Sequence, residues 1–364
     1  MRVAVLWPRP RRARIEAAAR DPGSHPDASD GLLGLAAEGF SIVVEDPYPI
    51  PLNPLARSHE IFCGLDPLRS LRVALRRPGY DAVLAIGASS AGWTQRFLGL
   101  KRRRPPVLMI DPAMGPWALR KRIQDLIIPR VDRVIVYGRT QLDYLREHYG
   151  DQVRGVFVHH RADVRFFDPA SAAQTPPAAS RYILAIGDDV SRDFGTLLRA
   201  CAADAPLGRL LEAQDLRCVI HTGRELGTLP ARVVHSNGRL SHLDLRDLYR
   251  HAAAVVLPLF DLVHAGGINS LVEAMAMSRP IVISRSRGIL DYIRDGGTAL
   301  TVAPGNSEEL GAAVARLVFD TELAGRLGSA AREFVTTTCA TAVYAKKIAA
   351  VIRDAISQNP KNPV

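Results

Sequence analysis

Residues 250–305 read RHAAAVVLPLFDLVHAGGINSLVEAMAMSRPIVISRSRGILDYIRDGGTALTVAPG, and this stretch predicts the fold class. The short, continuous apolar run Ala252–Leu257 is typical of a strand buried on both faces of a parallel sheet. The next residues, Pro258–Ile268, predict a loop, and the apolar spacing of Asn269–Met277 predicts a helix. A strand that passes through a glycine-containing loop into a helix is a junction at which α/β proteins bind nucleotides.

The loop and the first turn of this helix contain the residue types that a nucleotide requires. Gly266 and Gly267 have no Cβ, so a ligand can approach their backbone closely. The helix that follows offers N–H groups and the positive end of its dipole to a phosphate, with Asn269 and Ser270 beside it. Glu273 lies one turn further, on the same face as Asn269, and is suited to accept hydrogen bonds from the paired hydroxyls of a ribose.

A second interpretation of the same residues requires no ligand. Ser270 and Glu273 have the spacing of a capping box, in which the two side chains satisfy N–H groups at the start of their own helix. Both interpretations are compatible with the residues alone.

Strand and helix signals alternate along the whole chain. Its 364 residues exceed one typical core, so two domains are expected, and the alternation predicts doubly wound α/β sheets. Proline, alanine and serine interrupt the pattern at residues 168–180, and a new series begins at Tyr182. The strands predicted before the interruption are Arg2–Trp7, Ser41–Glu45, Tyr80–Ile86, Pro106–Ile110, Val131–Val136 and Val153–Val158. Helices are predicted at Trp93–Leu100, Trp117–Ile128 and Gln141–Tyr149.

Four runs together carry a family resemblance: residues 248–259, 267–284, 288–306 and 327–335. They resemble the nucleotide-sugar-binding half of GT-B glycosyltransferases, specifically the retaining enzymes related to sucrose and glycogen synthases and bacterial mannosyltransferases. The resemblance implies two Rossmann-like, doubly wound domains that face each other across a cleft. The domains it implies are an acceptor-side domain at 1–168 joined by a C-terminal helix at 341–364, a linker at 169–180, and a donor-binding domain at 181–340.

In this family the second Glu of an E-x7-E motif holds the ribose of the donor, and the matching residue here is Glu273. The first Glu would fall at position 265, where this chain has Ala265, so the usual contact to the donor sugar lacks its carboxylate. His264 precedes that position, and the resemblance implies that it hydrogen-bonds a sugar hydroxyl or a phosphate. A solvated loop histidine is the alternative.

The start of the second series resembles the segment that binds the diphosphate. Gly187 matches the family's glycine, Asp188 replaces an arginine, and Arg192 lies close to the position of a lysine. Arg192 is therefore the candidate cation for the leaving diphosphate. The alternative is a surface arginine paired with Asp189 or Asp193. A later turn, formed by Gly238, Arg239 and Leu240, matches the one that carries the base, where backbone contacts dominate.

The first half resembles the family only in its pattern. The Arg/Pro-rich stretch Pro8–Arg20 replaces the usual glycine-rich turn after the first strand. Asp111, at the end of the fourth strand, is the candidate catalytic base or sugar ligand, with a turn or cap residue as the alternative. His159 and His160 replace the proline and asparagine that the family has before its linker.

Charge and composition limit the classes of partner. The formal net charge is +10, and residues 1–168 contribute +8 of it through 26 Lys/Arg against 18 Asp/Glu, including Lys101–Arg104 and Arg120–Arg122. Such a surface favours an anionic acceptor or peripheral association with an anionic membrane. Nucleic acid is not expected, because no RNA-binding motif, zinc finger or basic–aromatic interleaving is present.

The helix at Trp117–Ile128 places Leu119, Ile123, Leu126 and Ile127 on one stripe, which predicts a packed face or a membrane-surface element.

The chain has no apolar run of membrane-spanning length and no signal peptide, so it is expected to be cytoplasmic, including the inner face of the membrane. Cys63, Cys201, Cys218 and Cys339 have neither metal-ligand nor disulfide spacing and are predicted to be small core residues.

Taken together, these residues predict a glycosyltransferase that uses a nucleoside diphosphate sugar as co-substrate, with retention and without a metal or other cofactor, in the synthesis of cell envelope or polysaccharide. Two alternatives remain. A nucleotide-sugar 2-epimerase shares the architecture, and a non-catalytic nucleotide-sugar-binding partner protein is compatible with Ala265 and Asp188.

Overall fold

The architecture is described from a computed structural model that covers residues 1–21, 23, 26–48, 66–101, 104–111, 118–171 and 181–359; for residues 118–120 only the backbone is described. The chain divides into two compact units. The first consists of Met1–Asp21, Asp27–His159 and Thr341–Val364, and the second is formed chiefly by His160–Ala340. Cys63 and residues 172–180 of the expected linker lie outside the described residues.

The first unit is built on a parallel sheet of six strands. Its order is β2-β1-β3-β4-β5-β6, so β1 lies next to the edge strand β2, and the chain passes from β2 across β1 to β3. The strands are β1 (Arg2–Leu6), β2 (Ser41–Val44), β3 (Ala82–Ile86), β4 (Val107–Ile110), β5 (Arg133–Val136) and β6 (Gly155–Phe157). Residues of β1, β3, β4 and β5 are almost completely buried, because helices cover parallel sheets on both faces.

The described residues of the first unit form the helices α1 (Arg12–Arg20), α2 (Pro67–Leu75), α3 (Ala88–Gly99), α4 (Ala118–Ile127), α5 (Arg139–Tyr149) and α12 (Thr341–Ser357). The helix α12 packs against a 3₁₀ turn at Leu32–Ala36, where a Cβ added to Gly34 would lie 2.8 Å from the Ala345 Cβ. This close approach requires glycine at position 34.

The second unit contains another parallel sheet of six strands, in the order β12-β11-β10-β7-β8-β9. The strands are β7 (Tyr182–Ile186), β8 (Arg217–His221), β9 (Val233–Ser236), β10 (Ala252–Leu257), β11 (Ile281–Ser284) and β12 (Leu300–Val302). The first strand, β7, is central, and the chain proceeds first to one side of it and then to the other. The carboxyl ends of β7 and β10 therefore form a topological switch point, where ligands bind in doubly wound folds.

In the part of the second unit that the structure describes, the helices are α6 (Phe194–Ala200), α7 (Pro206–Ala213), α8 (His242–His251), α9 (Ile268–Ala276), α10 (Ser307–Phe319) and α11 (Thr321–Phe334). One hydrophobic core joins α6, α7 and α10 to the sheet through residues such as Leu197, Leu211, Ile220, Val256 and Val314. Cys201 and Cys218 lie in this core and Cys339 is also buried, which confirms that prediction for the three described cysteines.

The chain enters and leaves the second unit at neighbouring positions. Ala162 and Ala340 form a parallel β-bridge, and the Ala162 N–H donates to the Cys339 carbonyl at 2.8 Å. The segment between them contains all of the second sheet and its helices.

The predicted α/β class is confirmed, and most of the predicted strands agree with the observed bounds to within two residues. Two helix predictions need correction. The helix α3 begins at Ala88 rather than Trp93, because Gly87 provides the N-cap position with φ +80°. On α4, Leu126 is 62% exposed and Gln124 is buried, so the predicted apolar stripe does not all face the core. None of the described helices has the length and apolarity needed to cross a bilayer.

Helix α11 offers a matched pair of glycines that tests its packing. A Cβ added to Gly328 would lie 2.3 Å from the Ser278 carbonyl oxygen, in the turn that follows α9, whereas one added to Gly325 would meet nothing within 4 Å. We expect Gly328→Ala to lower the free energy of unfolding by about 2–3 kcal/mol through overpacking, and Gly325→Ala to raise it by up to about 1 kcal/mol through helix propensity. Urea unfolding of both variants checks this, and equal effects would contradict the packing of α11 against that turn.

Candidate functional site

The loops that follow β7 and β10 are joined by backbone hydrogen bonds. The Asp193 N–H donates to the Pro258 carbonyl at 3.0 Å, and the Phe260 N–H donates to the Ser191 carbonyl at 2.9 Å. Between these two bonds, Arg192 and Leu259 form an antiparallel bridge. The pairing fixes the backbone of Arg192 at the switch point of the sheet.

The Arg192 guanidinium lies inside this junction, with only 2% of the residue exposed. Its Nε donates to Asp189 Oδ2 at 2.9 Å, and its Nη2 donates to Ser270 Oγ at 2.8 Å. Its Nη1 is buried and has no hydrogen-bond partner among the residues that the structure describes. Arg192 is therefore not a surface arginine, although it forms the predicted ion pair with Asp189. Asp193 caps α6 instead, accepting from the Thr196 N–H at 3.1 Å.

Asp189 balances the charge of this arginine. Burial acts to raise the pKa of its carboxyl, but Arg192 and the hydrogen bonds from Ser191 outweigh it and lower the pKa. Asp189 is thus ionised at neutral pH and holds the Nε edge of the guanidinium, while the Nη1 edge stays without a partner.

Two glycines cover the guanidinium closely. A Cβ added to Gly187 would lie 2.4 Å from Arg192 Nε, and one added to Gly267 would lie 3.0 Å from Nη1. Both glycines have positive φ angles, +137° and +75°. Gly266 is held close to Ser191, whose Cβ would lie 2.4 Å from an added side chain. The glycines predicted from the sequence are therefore required by contact with the loop that carries Arg192.

The helix α9 begins at Ile268 with Gly267 as its N-cap, and no side chain caps it. The capping-box interpretation of Ser270 and Glu273 is therefore wrong. Ser270 is the third residue of the helix, and its hydroxyl contacts Arg192. The N–H groups of Asn269 and Ser270 in the first turn of α9 thus receive no side-chain cap, and such N–H groups can bind an anion.

Glu273 accepts a hydrogen bond from a tyrosine that the sequence did not identify. The Tyr249 hydroxyl, on α8, donates to Glu273 Oε2 at 2.9 Å, and Tyr249 has no exposed surface. Burial raises the pKa of Glu273 to about 7, opposed by Tyr249, Arg161 and Arg192. The Tyr249 hydroxyl also contacts the Ser270 hydroxyl, so one network links Glu273 to Arg192.

A histidine ahead of the second sheet reaches the same helix. His160 Nε2 lies 2.7 Å from Asn269 Oδ1 and 3.1 Å from Arg161 Nη1. His160 itself is buried, and its backbone N–H donates to the Tyr292 hydroxyl at 2.7 Å. The contact orients the exposed amide of Asn269. Sequence reasoning placed His160 only by position, because 109 residues separate it from Asn269.

The loop before α9 contains His264 and Ala265. The Gly266 N–H donates to the His264 carbonyl at 2.8 Å, and His264 Nε2 lies 3.5 Å from the Cβ position of Gly266. The His264 side chain is half-buried beside the glycines, whereas Ala265 is 4% exposed. The position where the resemblance expects a carboxylate is thus a small, buried apolar side chain.

The ends of β7 and β8 are joined by Asp188. Its Oδ1 accepts from the Gly223 N–H at 2.6 Å and from Thr222 Oγ1 at 3.1 Å. Asp188, where the family has an arginine, therefore secures the turn after β8 and supplies no cation. In the turn after β9, Gly238 has φ +97° and is exposed, and Leu240 is half-buried.

Asp111 belongs to the first unit, at the carboxyl end of β4. It is 4% exposed, its N–H donates to the Ile135 carbonyl at 3.0 Å, and its Oδ2 accepts from Gln124 Nε2 at 2.8 Å. All the other predicted site residues lie in the second unit. Among the described residues, no group of three or more His, Cys, Asp and Glu side chains is arranged to hold a metal ion.

Part of the second unit matches a known protein family in sequence. Residues 198–320 match the model of the family described as glycosyl transferases group 1. A D-inositol 3-phosphate glycosyltransferase from Nocardiopsis dassonvillei is 27% identical over 241 residues, which is 60% of this chain. The alignment spans 55% of that relative's length, so the chain matches little more than half of it.

Comparison with solved structures identifies the fold. A sucrose-phosphate synthase from Thermosynechococcus elongatus superposes with a TM-score of 0.75 at 18% identity, covering 98% of this chain and 99% of that one. The Anabaena protein HepE, solved in complex with UDP-glucose, superposes with a TM-score of 0.69 at 14% identity, covering 97% of this chain and 100% of that one. Residues 198–320 thus resemble the group 1 glycosyltransferases, and the chain has the GT-B fold that the sequence resemblance predicted.

The raised pKa of Glu273 predicts a pH effect on stability. The ordinary value is 4.5 and the folded value about 7, so between these limits the folded protein keeps a proton that the unfolded chain releases. The free energy of unfolding therefore falls as pH rises from 4.5 to 7. Because the amide does not titrate, we expect Glu273→Gln to be more stable relative to wild type at pH 8 than at pH 5.

Urea unfolding at the two pH values measures this difference. Glu333, an exposed carboxylate on α11, provides the control, and Glu333→Gln should leave the change between pH 5 and pH 8 as in the wild type. A Glu273→Gln variant whose stability follows the wild type at both pH values would show that the carboxyl is not perturbed.

Proposed function

We propose that the chain transfers a sugar from a nucleoside diphosphate sugar to an acceptor, with the donor bound at the junction of β7, β10 and α9. The observation that carries this proposal is the Arg192 guanidinium, held on two edges by Asp189 and Ser270 and without a partner at Nη1. A buried cation with an unused donor, placed beneath two glycines and a helix N-terminus, is suited to an anion.

The diphosphate is the part of the donor that this arrangement fits. Arg192 and Ser191 fill the space beside Gly187, Gly266 and Gly267 that side chains would occupy, so these glycines let the two loops close around the guanidinium that binds the phosphate oxygens. The N–H groups at Asn269 and Ser270, together with the positive end of the α9 dipole, supply hydrogen bonds and partial charge. Arg192 supplies the full positive charge that stabilises the leaving diphosphate as the bond to the sugar breaks.

The nucleoside extends from the diphosphate along α9 and the base-side turn. Glu273 accepts hydrogen bonds from the ribose hydroxyls, and Tyr249 holds its carboxylate in place. The backbone at Gly238 and Leu240 contacts the base. HepE is solved with UDP-glucose, so UDP-sugars are the first donors to test.

The transfer itself exchanges one bond to the sugar for another. The anomeric C–O bond breaks, the diphosphate departs with the electron pair, and the acceptor hydroxyl bonds to the anomeric carbon while losing its proton. His264, beside the glycines, binds a sugar hydroxyl or phosphate, and Asp111 of the first unit is the candidate base. Retention of configuration follows the family resemblance.

The acceptor is proposed to be anionic or lipid-linked. The first unit carries most of the excess positive charge, and the Nocardiopsis relative is named for a phosphorylated acceptor. A membrane-presented acceptor would connect the activity to synthesis of the cell envelope or of polysaccharide.

One observation favours a second candidate, a non-catalytic protein that binds a nucleotide sugar. Ala265 is buried and apolar where the resemblance expects the carboxylate that contacts the donor sugar. This candidate predicts tight nucleotide binding with neither transfer nor hydrolysis of any UDP-, GDP- or dTDP-sugar, whereas the enzyme turns over at least one of them.

Substitution of Arg192 distinguishes phosphate binding from a structural role. We expect Arg192→Gln to weaken UDP binding by about ten- to a hundredfold, because a hydrogen bond to a charged group contributes about 1.5–3 kcal/mol. Uridine binding should change by about twofold at most, since uridine presents no charge to Arg192. Isothermal titration with both ligands measures the contrast.

Two controls accompany this measurement. Arg192→Lys keeps the charge and should retain part of the UDP affinity, and Arg316→Gln removes an exposed arginine of α10 and should change neither ligand. Equal weakening of UDP and uridine by Arg192→Gln would place Arg192 outside the phosphate site.

The same residues predict metal-independent turnover. Because helix N–H groups and Arg192 neutralise the departing diphosphate, transfer should persist in excess EDTA. Loss of activity that Mg²⁺ or Mn²⁺ restores would contradict this mechanism, and product release assayed with and without EDTA decides between the outcomes.

A further inference from the structure

A pocket of about 390 Å³ lies at the amino edge of the first sheet, and the proposed function does not use it. Its walls come from the ends of α2 and α3 and from the segments that lead into β3 and β4. The lining residues on which the inference depends are Arg77, Tyr80, Asp81, Leu98, Lys101 and Arg104. Asp111 follows the other end of β4, so the pocket and the candidate base lie at opposite edges of this sheet.

The charges around the pocket are predominantly positive. Arg77 is exposed and Lys101 half-buried, and neither side chain has a hydrogen-bond or ion-pair partner among the described residues. Arg104 forms a bidentate pair with Asp132, at 2.6 and 2.9 Å. Asp81 accepts from the Arg2 N–H at 2.6 Å.

The Arg2 guanidinium adds a fourth cation beside the pocket. It donates to the Pro78 carbonyl at 3.1 Å and lies over the Tyr80 ring. Four cations therefore face two carboxylates, and the cations of Arg77 and Lys101 are available to an anionic ligand.

Two exposed leucines lie close in the chain to Arg77 and Lys101. Leu75, the last residue of α2, is 64% exposed, and Leu100, which follows α3, is 83% exposed. Each is a close chain neighbour of lining residues, and α2 and α3 pack together through a 2.9 Å hydrogen bond between Ser70 and Thr94. Exposed leucines flanked by basic side chains fit the boundary between lipid headgroups and acyl chains.

We infer that Leu75, Arg77, Leu100, Lys101 and Arg104, together called the basic rim, dock on an anionic lipid bilayer. A headgroup phosphate enters the pocket between Arg77 and Lys101, and the two leucines insert at the level of the acyl boundary. The carboxyl edge of the sheet, with Asp111, stays outside this contact. The inference goes beyond the proposed function and does not depend on it.

Vesicle sedimentation without nucleotide tests the basic rim. The full chain should bind vesicles of phosphatidylcholine and phosphatidylglycerol in equal parts, and bind phosphatidylcholine alone far more weakly. Arg77→Gln/Lys101→Gln should weaken binding to the anionic vesicles about thirtyfold. Each basic residue near an anionic membrane surface raises the affinity about fivefold, and the variant removes two of them. The matched control Arg316→Gln/Arg326→Gln removes two exposed arginines from the second unit and should weaken binding less than threefold.

A second variant tests the leucines. Leu75→Ser/Leu100→Ser keeps every charge and should weaken binding about tenfold if the leucines insert. Leucine substitutions without effect, or equal losses in the Arg77/Lys101 and Arg316/Arg326 variants, would overturn the inference in favour of diffuse electrostatic attraction. Displacement of bound protein by millimolar glycerol phosphate would also overturn it, because the pocket would then bind a small soluble phosphate.

The same variants separate this inference from the donor site. UDP binding, measured in solution without vesicles, should be unchanged in all three variants. Vesicle binding through the basic rim without nucleotide binding would refute the proposed function but not the inference about the basic rim. Nucleotide binding without vesicle binding would refute only the inference about the basic rim.

Discussion

The second unit depends on the backbone pairing of the loop after β7 with the loop after β10. Hydrogen bonds from Asp193 to Pro258 and from Phe260 to Ser191 lock these loops together. Because β7 and β10 are adjacent and parallel, both loops emerge at the same edge of the sheet. The pairing holds Arg192 between them, and a guanidinium in that position requires glycine at 187 and 267. The sequence features at the junction are therefore consequences of one contact.

The glycine loop, the helix start and the strand limits could be predicted from the sequence because each follows from neighbouring residues. Tyr249 and His160 could not, since one strand separates Tyr249 from α9 along the chain and four strands separate His160 from it. The capping box failed for a related reason. The Ser270 hydroxyl has a partner in Arg192, 78 residues away, and this tertiary contact replaces the local one.

The buried face of helix α4 also could not be predicted from the apolar periodicity of its sequence. Its apolar spacing predicted a packed stripe, yet Gln124 occupies the buried position because its amide binds Asp111. Leu126 is displaced to the exposed face. A buried polar pair can thus rotate a helix away from its apolar pattern, and the hydropathy of the helix alone carries no sign of it.

The bridge between Ala162 and Ala340 has a consequence for how such a chain can be assembled. Two strands of backbone that lie side by side form a narrow connection, so a nucleotide-binding module can be inserted into another domain without breaking the host's core. Recombination at this one place would exchange the second unit while keeping the first. The same position is the natural boundary for building chimaeras.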